Sequence, residues 1–255
     1  MKYAMLSLSG GMDSTSLLLH LLANDYQVRA IGYDYGQRHK IELSRALNNV
    51  RYLQSRGLSV SLQIINLKDV FSDSQSALTS NTDVPEGHYQ QSNMSVTVVE
   101  NRNMIFASII LGKSQSWANQ LKEEVKVCLA IHSGDHFVYK DCRQESRDAV
   151  EHAFKVSNDN SELVNYYSPY LNGNKTTILE DAIKNCHKLE LDFSKVFSNT
   201  NTCYNPDTVG SSCGKCGSCI ERIEAFVNIG RRDPIFYVNG WQVVKENALK
   251  VLGLQ

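Results

Sequence analysis

The feature that most constrains the fold is a glycine pair near the start of the chain, set between two apolar patterns. Residues 3–8 form a short apolar run typical of a buried strand, and an apolar helical pattern covers 16–22. Between them stands Ser-Gly-Gly-Met-Asp-Ser, residues 9–14. Glycines let the backbone approach an anion closely, and the start of a helix adds a partial positive charge. The pattern therefore predicts a phosphate-binding turn between a strand and a helix.

Each polar group of this turn has a chemical use beside a phosphate. The hydroxyls of Ser9 and Ser14 can donate to phosphate oxygens, and Gly10 and Gly11 can present backbone N–H groups. Asp13 can hold Mg²⁺, which prefers oxygen ligands. The alternative is a tight turn in which the aspartate only caps the helix.

The order Ser-Gly-Gly-Xaa-Asp-Ser resembles the PP-loop of the ATP pyrophosphatases. Those enzymes split ATP between its α- and β-phosphates and form an adenylate, so the resemblance implies that ATP binds here. Residues 9–14 lack the Gly-Lys-Ser/Thr ending that a Walker loop requires.

Composition and charge narrow the class of protein. A chain of 255 residues with 42% hydrophobic residues suffices for one large domain, or for one domain with a small annex. The net charge of −1 argues against a nucleic-acid partner, which usually demands a basic excess. The sequence shows neither a membrane-spanning run nor a signal-peptide pattern, so we expect a cytoplasmic protein with no membrane partner. In that compartment the seven cysteines are expected to be thiols or metal ligands.

Strand and helix patterns alternate after the glycine turn. Strand patterns at 27–33, 59–67 and 125–131 are interleaved with helical patterns at 41–56 and 104–118. Parallel strands joined by helices form βαβ units, so the sequence predicts an α/β fold with a Rossmann-like parallel sheet. The PP-loop resemblance implies the adenine nucleotide alpha hydrolase architecture for that sheet.

Three further residues are expected beside the ATP, because ligands of open α/β sheets sit beyond the carboxyl ends of the strands. Asp34 and Arg38 follow the second strand pattern, and Arg38 can meet a phosphate. Arg102 stands at the turn where the PP-loop family places a basic residue near the phosphates. A solvated loop is the alternative for Asp34 and Arg38. At the Arg102 turn, the alternative to a phosphate contact is a purely structural one, in which Asn103 caps the following helix.

A dense polar segment follows the strand pattern that ends at residue 131. It contains five candidates for catalysis or substrate binding: His132, Asp135, His136, Asp141 and Arg143. The two histidines have a spacing that can bind a metal, but no further ligand is evident, and substrate binding or proton transfer suits them better.

Two members of this segment suit particular parts of a substrate. Asp141 can read the amide edge of a heterocycle, and Arg143 can bind a carboxylate because its planar fork is bidentate. A surface salt bridge is the alternative for Arg143. Lys175, just before a later helical pattern, is a candidate contact for phosphate or substrate.

A second strong motif lies near the end of the chain. Four cysteines follow the spacing Cys-x9-Cys-x2-Cys-x2-Cys, namely Cys203, Cys213, Cys216 and Cys219. Glycines between them permit tight turns that bring the thiolates to one point. Four thiolates without an open position are typical of structural Zn²⁺; an iron–sulfur cluster and free core thiols are the alternatives.

Together the motifs resemble the 7-cyano-7-deazaguanine synthase (QueC) family of queuosine biosynthesis over most of residues 3–229. The resemblance rests on the segments Ser9–Ser14, Tyr35–His39, Arg102–Asn103, Asp141–Arg143 and Asn201–Asn205, with the cysteines that follow. The family reaction would use ATP and Mg²⁺ to adenylate the carboxylate of 7-carboxy-7-deazaguanine. Ammonia would give the amide, and a second ATP would give the nitrile, while Zn²⁺ would be structural. Catalytic roles are expected for Asp13, Asp141, Arg143, His132 and His136, and substrate contacts for Asp135, Asp141, Arg143 and Lys175.

The sequence departs from the family pattern near the expected substrate. Asn101 stands where the family commonly has glycine, Lys140 where it commonly has proline, and the segment 132–136 differs. Three alternatives therefore stay open: an amide ligase that stops early or uses another amine or a protein, a tRNA-modifying PP-loop enzyme, and a zinc-stabilised nucleotide-binding module without chemistry.

We expect three parts in the chain: an α/β nucleotide-binding domain at 1–160, a helical zinc-binding region at 161–230, and a tail at 231–255. The polar stretch 68–95 is expected to be a long loop. The tail carries an apolar stripe that can dock on the body or on a second copy of the chain, as in a homodimer. The stripe consists of Val243, Val244, Ala248, Val251 and Leu252.

Overall fold

The computed structural model describes residues 1–87, 92–132 and 140–254. Its five strands are β1 (Lys2–Ser7), β2 (Tyr26–Asp34), β3 (Val60–Asn66), β4 (Val125–Cys128) and β5 (Val164–Tyr167). The α-helices of these described segments are α1 (Met12–Ala23), α2 (Ile41–Ser55), α3 (Arg102–Leu121), α4 (Gln144–Ser157), α5 (Lys175–Lys188), α6 (Phe193–Ser198), α7 (Gly217–Asn228) and α8 (Gly240–Val251).

The strands form one parallel sheet in the order β3-β2-β1-β4-β5. In β1, Leu6 pairs with Ala30 of β2 on one side and with Cys128 of β4 on the other. The chain moves outward from β1 to β3 and then returns to β4 on the opposite side of β1. Open α/β sheets bind ligands at such a reversal, beyond the carboxyl ends of the strands.

The centre of the core is the unit formed by β1 and α1. Within β1, Ala4, Met5 and Leu6 are at most 2% exposed, because helices cover both faces of the sheet. Helix α1 is buried along almost its whole length and packs against α5. Each leucine that it buries contributes about 2 kcal/mol of hydrophobic free energy. The loop between β1 and α1 is therefore held between two firmly anchored elements.

The predicted α/β fold with a parallel sheet is confirmed. The first three predicted strands match the structure within about one residue at each end, but β4 ends at Cys128 and not at residue 131. The sequence reading missed β5, because Val-Asn-Tyr-Tyr is too short and too polar to show a strand pattern. Since β5 follows residue 160, the sheet takes its last strand from beyond the first proposed part. The three-part division itself stays a proposal.

Helix α3 begins earlier than predicted. It starts at Arg102, so Arg102 and Asn103 lie in its first turn, and the alternative in which Asn103 caps the helix is wrong. The residue at the cap position is Asn101, in the left-handed conformation with φ +55° and without a side-chain capping bond. Asparagine tolerates this conformation better than most residues. It can therefore stand where the family commonly has glycine.

The tail docks on the body of the protein. Helix α8 packs against α7, and Val244 and Ala248 are buried in an apolar cluster with Ile220 and Ile223. The remaining valines of the stripe, Val243 and Val251, are exposed. Contact with a second copy of the chain stays a prediction. Among the described helices, none is both long and apolar enough to cross a membrane.

At Gly10 the fold leaves no room for a side chain, and the obstacle is backbone that cannot swing away. A Cβ atom there would lie 2.1 Å from the carbonyl oxygen of Glu42, and the backbone has φ +94°. We expect Gly10→Ala to lower the free energy of unfolding by about 3 kcal/mol or more, measured by urea denaturation. The matched control is Gly36→Ala, with φ +83° and no atom within 4 Å of its Cβ, which should cost only about 1–2 kcal/mol. Equal losses would contradict a close approach at Gly10.

Candidate active site

A cavity of 290 Å³ opens at the carboxyl ends of β1, β2, β4 and β5. Its volume is near the lower end of typical small-molecule sites, about 300–1,000 Å³. The lining contains both polar and aromatic groups: Ser9, Gly11, Asp13, Ser14, Tyr33, Tyr35, His39, Glu42, Arg102, Asn103, Phe106, Asp141, Cys142, Arg147, Tyr166, Lys175, Asn201, Thr202 and Tyr204. Tyr33 and Phe106 stack with ring centroids 3.9 Å apart, and aromatic side chains of this kind can pack against a flat heterocycle.

The turn between β1 and α1, residues 9–14, forms a cradle, which we call the phosphate loop. The Ser9 hydroxyl lies 3.0 Å from the Ser14 hydroxyl and accepts a hydrogen bond of 3.1 Å from the Gly11 N–H. Helix α1 begins directly after Gly11, so its first N–H groups and partial positive charge lie beside these hydroxyls. The predicted turn between a strand and a helix is thus present, and phosphate binding by Ser9, Gly10, Gly11 and Ser14 stays a prediction.

Asp13 and Lys175 form a buried ion pair at the floor of the cavity. The Lys175 Nζ donates to Asp13 Oδ2 at 2.7 Å, lies 2.9 Å from His132 Nε2, and lies 3.5 Å from Glu221 Oε2. The chain separation between Asp13 and Lys175 is 162 residues. Two residues predicted separately, one for Mg²⁺ and one for phosphate, are therefore direct partners.

The charges around Asp13 determine its protonation. Burial raises the pKa of its carboxyl, but Lys175 and His132 more than offset this, so the pKa lies below its usual value. Asp13 is ionised at neutral pH. Its second oxygen, Oδ1, is buried and has no hydrogen-bond partner in the described part of the chain. A buried carboxylate oxygen without a partner is the kind of ligand that Mg²⁺ prefers.

Glu42 and His39 form a neutral wall beside the phosphate loop. They are 8% and 4% exposed. Burial raises the pKa of Glu42 to about 8, and burial with the charge of Arg102 lowers the pKa of His39 to about 3. The Gln37 amide orients the carboxyl by donating to Glu42 Oε1 at 3.1 Å and to the Tyr33 carbonyl at 2.9 Å. At neutral pH this wall carries a protonated acid and an uncharged imidazole.

Arg102 faces the same cavity from the first turn of α3. Its Nη1 donates to the Tyr35 hydroxyl at 3.3 Å, and its Nε donates to Asn103 Oδ1 at 3.1 Å. The Asn103 amide contacts the thiol of Cys142 at 3.8 Å. Arg102 thus lines the cavity, and Asn103 supports it there, while its contact with ATP phosphates stays a prediction.

Other predicted residues are placed differently. Asp34 does not line the cavity and pairs with Lys40 at 3.0 Å and Lys68 at 3.4 Å, while the exposed Arg38 donates to the Thr82 carbonyl at 2.7 Å. Asp141 lines the cavity in a 3-10 turn, Lys140–Cys142, whereas Arg143 is exposed at the start of α4 and is not part of the lining.

Some predicted residues lie elsewhere or outside the description. His132 is 1% exposed beneath Lys175 and borders a second, smaller cavity of 90 Å³ behind it. Asp135 and His136 lie outside the described residues. Their predicted roles, like those of Asp34, Arg38 and Arg143, stay predictions.

Several residues at or beside the cavity were not among the predicted site residues: Glu42, His39 and Thr202 line it, and Arg222 contacts Thr202. Glu42 lies within the helical pattern at 41–56, and His39 ends the motif at 35–39. Thr202 stands beside the first cysteine of the metal motif, and Arg222 and Glu221 lie on α7. A buried charged residue inside an apolar helix pattern is the signal that was available for Arg222, since such residues need a partner.

The four cysteines of the C-terminal motif converge. Their sulfur atoms all lie within 4.8 Å of one another, and among the described residues this is the cluster of potential metal ligands that comes together. Tetrahedral Zn²⁺ with bonds of about 2.3 Å requires sulfur atoms about 3.8 Å apart, a small contraction from this arrangement. Backbone N–H groups already point at the sulfurs: Asn205 and Cys213 donate to Cys203 Sγ, and Lys215 and Cys216 donate to Cys213 Sγ, at 3.2–3.4 Å. Such donors stabilise thiolates, so the cluster can hold a metal ion.

Comparison with known proteins gives one family. The model of the family described as "Queuosine biosynthesis protein QueC" matches residues 3–230. A protein of Marinomonas sp. (strain MWYL1) named 7-cyano-7-deazaguanine synthase is 38% identical over 230 residues, covering 90% of this chain and 95% of the relative. The 7-cyano-7-deazaguanine synthase 2 of Colwellia psychrerythraea is 39% identical over 239 residues, covering 93% and 99%. The synthase 1 of the same organism is 40% identical over 230 residues, covering 90% and 95%.

The raised pKa of Glu42 predicts how stability depends on pH. A carboxyl whose pKa is about 8 when folded and 4.5 when unfolded holds its proton more tightly in the folded state. The free energy of unfolding should therefore fall as pH rises from about 5 to 8, by up to about 1.4 kcal/mol per pH unit, and level off above that. Urea denaturation between pH 5 and pH 9 measures this dependence. Glu42→Gln, which cannot ionise, should remove this contribution, and an unchanged pH dependence in the variant would contradict the assignment.

Proposed function

The chain belongs to the QueC family of queuosine biosynthesis, and from that premise we propose that it converts 7-carboxy-7-deazaguanine and ammonia to 7-cyano-7-deazaguanine at the expense of ATP. The observation that carries the proposal is a phosphate loop, an ion pair of Asp13 with Lys175 and an aromatic wall around one cavity. The reported relatives bear the name of this synthase over at least 90% of this chain. None of those three is named as an amide ligase or a tRNA-modifying enzyme, so the alternative reactions gain no support.

The reaction proceeds in two ATP-dependent halves. The substrate carboxylate attacks the α-phosphorus of ATP, pyrophosphate leaves, and an acyl adenylate forms. Ammonia attacks the acyl carbon, loses a proton, and expels AMP to give the amide. The amide oxygen then attacks the α-phosphorus of a second ATP, pyrophosphate leaves again, and loss of one N–H proton gives an adenylated imidate. Loss of AMP with the second N–H proton gives the nitrile. Each half yields one AMP and one pyrophosphate, so adenylation supplies the leaving group that a carboxylate lacks.

The phosphate loop and its neighbours stabilise the charge that develops on the departing pyrophosphate. The N–H groups of Asp13 and Ser14 at the start of α1 and the hydroxyls of Ser9 and Ser14 donate to phosphate oxygens, and Arg102 and Lys175 add positive charge from two other sides of the cavity. Preorganised donors of this kind lower the barrier because they need no rearrangement when the charge appears. Asp34 and Arg38, held by their own partners outside the cavity lining, stay predicted ATP contacts.

Asp141 and His132 are assigned to the substrate side. Asp141 lines the cavity and is proposed to accept hydrogen bonds from the amide edge of the deazaguanine ring. His132 Nε2, 2.9 Å from the Lys175 Nζ, is proposed to move protons through that amine as ammonia is deprotonated. Roles for Asp135 and His136 in the same segment, and for Arg143 as a partner of the substrate carboxylate, are retained as proposals from the sequence.

The residues present fit two metal ions. Asp13, with its unpartnered Oδ1, would hold Mg²⁺, which supplies charge neutralisation for the phosphates when bound. Cys203, Cys213, Cys216 and Cys219 would hold Zn²⁺ as a structural ion, because four thiolates leave no open position for substrate. Zinc there would fix a polar, glycine-rich loop whose Asn201, Thr202 and Tyr204 line the cavity.

The direct test is one incubation of the purified protein with ATP, Mg²⁺, ammonium and 7-carboxy-7-deazaguanine, read by mass spectrometry. We expect the nitrile and two AMP per product. An amide that accumulates without nitrile, or AMP that forms only with another amine or a protein, would overturn the proposal in favour of a ligase.

Asp13→Asn is the matching variant, because it keeps the size of the side chain and removes its charge. We expect AMP formation to fall by at least about 100-fold, the scale of losing one preorganised electrostatic group. Asp25→Asn, an exposed aspartate in the turn after α1, is the control and should retain wild-type turnover. Full activity of Asp13→Asn would refute the role of this carboxylate.

Removal of the cysteine cluster tests the zinc assignment. We expect Cys216→Ser to lose bound zinc, measured by elemental analysis, and to unfold at lower urea concentration, because metal-binding free energy is folding free energy. Cys186→Ser, a thiol at 2% exposure in the core away from the cluster, is the control and should keep its zinc. A zinc-free Cys216→Ser variant of unchanged stability would contradict a structural ion.

A further inference from the structure

The phosphate loop is held from behind by a short segment of the C-terminal region, which we call the strap, residues 200–202. The N–H of Asn201 donates to the carbonyl of Gly10 at 3.0 Å, and the hydroxyl of Thr202 accepts from the N–H of Met12 at 3.4 Å. In a trans peptide the C=O and the following N–H point in opposite directions. Holding the Gly10 carbonyl against the strap therefore turns the Gly11 N–H toward the cradle, where it meets Ser9.

The strap is held in turn by Arg222 of α7. Its Nη1 donates to the hydroxyl of Thr200 at 2.8 Å and to that of Thr202 at 3.0 Å. The Arg222 side chain is completely buried. A guanidinium has no acceptor and cannot lose its proton at neutral pH, so each donor at this depth must find an oxygen. The hydroxyls of Thr200 and Thr202 supply oxygens for Nη1. Only the Thr202 hydroxyl also contacts the phosphate loop.

The charge of Arg222 is balanced from the tail. Asp233 accepts from Arg222 Nε at 2.6 Å and from Nη2 at 2.9 Å, a bidentate pair in which both side chains are fully buried. Asp233 is itself fixed by the hydroxyl of Tyr237 at 2.8 Å and the N–H of Ile235 at 3.2 Å. The family match ends at residue 230, so this carboxylate lies beyond it.

We propose that Asp233 and Arg222 are positioning residues for ATP, which act on the phosphate loop through the hydroxyl of Thr202. Asp233 fixes the plane of the guanidinium, the guanidinium fixes the hydroxyl, and the hydroxyl fixes the Met12 N–H at the start of α1. This inference rests on the proposed function only in taking ATP as the ligand of the loop. It assigns the tail, residues 231–255, a function beyond packing against the cysteine cluster.

The two threonines provide a matched pair of variants. Thr200→Val and Thr202→Val each remove one acceptor of the same Arg222 nitrogen, but only Thr202→Val breaks the link to Met12. We expect Thr202→Val to weaken binding of a non-hydrolysable Mg·ATP analogue by about three- to tenfold, measured by calorimetry. Thr200→Val should bind it as the wild type does. The Thr200 hydroxyl also donates to the Phe197 carbonyl at 2.7 Å, so this variant should lose at least as much stability in urea as Thr202→Val. Thr202→Ser, which retains the hydroxyl, should restore affinity.

Coupling between the tail and the loop is the decisive readout. Asp233→Asn should weaken analogue binding by a similar factor, whereas Tyr237→Phe, which leaves the bidentate pair intact, should not. In the Thr202→Val background, Asp233→Asn should cause no further loss of affinity, because the hydrogen bond from the Met12 N–H to the Thr202 hydroxyl, through which Asp233 is proposed to act, is already missing. Should Asp233→Asn fail to fold, the threonine pair alone decides the matter.

The proposal is overturned by equal affinities of Thr200→Val and Thr202→Val, or by additive losses in the double variant. Either result would show that Asp233 supports only the fold. Analogue binding requires no deazaguanine, so it separates this inference from the proposed reaction. A chain that binds the analogue and shows the coupling but makes no nitrile would refute the reaction and leave the positioning role standing.

Discussion

The buried guanidinium of Arg222 is the charge on which the ordering of the C-terminal half depends. A charge at zero exposure costs several kcal/mol of lost hydration, and only a full set of partners offsets that cost. Its partners come from three places in the chain: Asp233 in the tail, Thr200 and Thr202 in the strap, and the carbonyl of Phe197 on α6. None of these segments can move away without leaving the charge unpaired. The ion pair of Arg222 with Asp233 therefore adds little net stability, but it fixes the positions of the segments that supply the partners of Arg222.

The same logic applies at the floor of the cavity. Lys175 is nearly buried and lies against Asp13, His132 and Glu221, so its amine has acceptors on several sides before any ligand arrives. In the proposed function, a phosphate takes over one of those contacts, and Asp13 is then free to hold Mg²⁺. The ion pair therefore keeps both groups charged and in place in the free protein. Its members are 162 residues apart in the chain, so α1 and α5 must pack correctly before the pair can form.

The chemistry carried by short motifs could be predicted from the sequence, because neighbouring residues supply it. The phosphate loop and the four cysteines are of this kind, and so is the parallel sheet that follows from strand–helix alternation. Residues whose position depends on distant partners were harder to predict. Asp34 was expected at the ATP because it ends a strand, but Lys40 and Lys68 hold it outside the cavity lining. Arg222 stands in an apolar helical pattern, which indicates a buried partner but not which one, since its partners lie in the strap and in the tail. The contact of Thr202 with Met12 likewise joins segments that are far apart in the chain.

Glu42 shows how burial and packing together set the charge of the cavity. Its helix passes so close to the phosphate loop that a Cβ at Gly10 would meet its carbonyl oxygen. An ionised carboxylate in this wall would repel a triphosphate, by about 4 kcal/mol for two unit charges 4 Å apart near a protein surface. Burial removes that repulsion by raising the pKa of Glu42 to about 8, and the Gln37 amide still fixes the direction of the carboxyl. Arg102 then faces the cavity without a competing negative charge on Glu42, and the protonated acid remains available as a hydrogen-bond donor. Gly10 therefore serves the phosphate loop in two ways. It adopts the backbone conformation that the loop needs, and its missing side chain lets the helix that carries Glu42 pack directly against the loop.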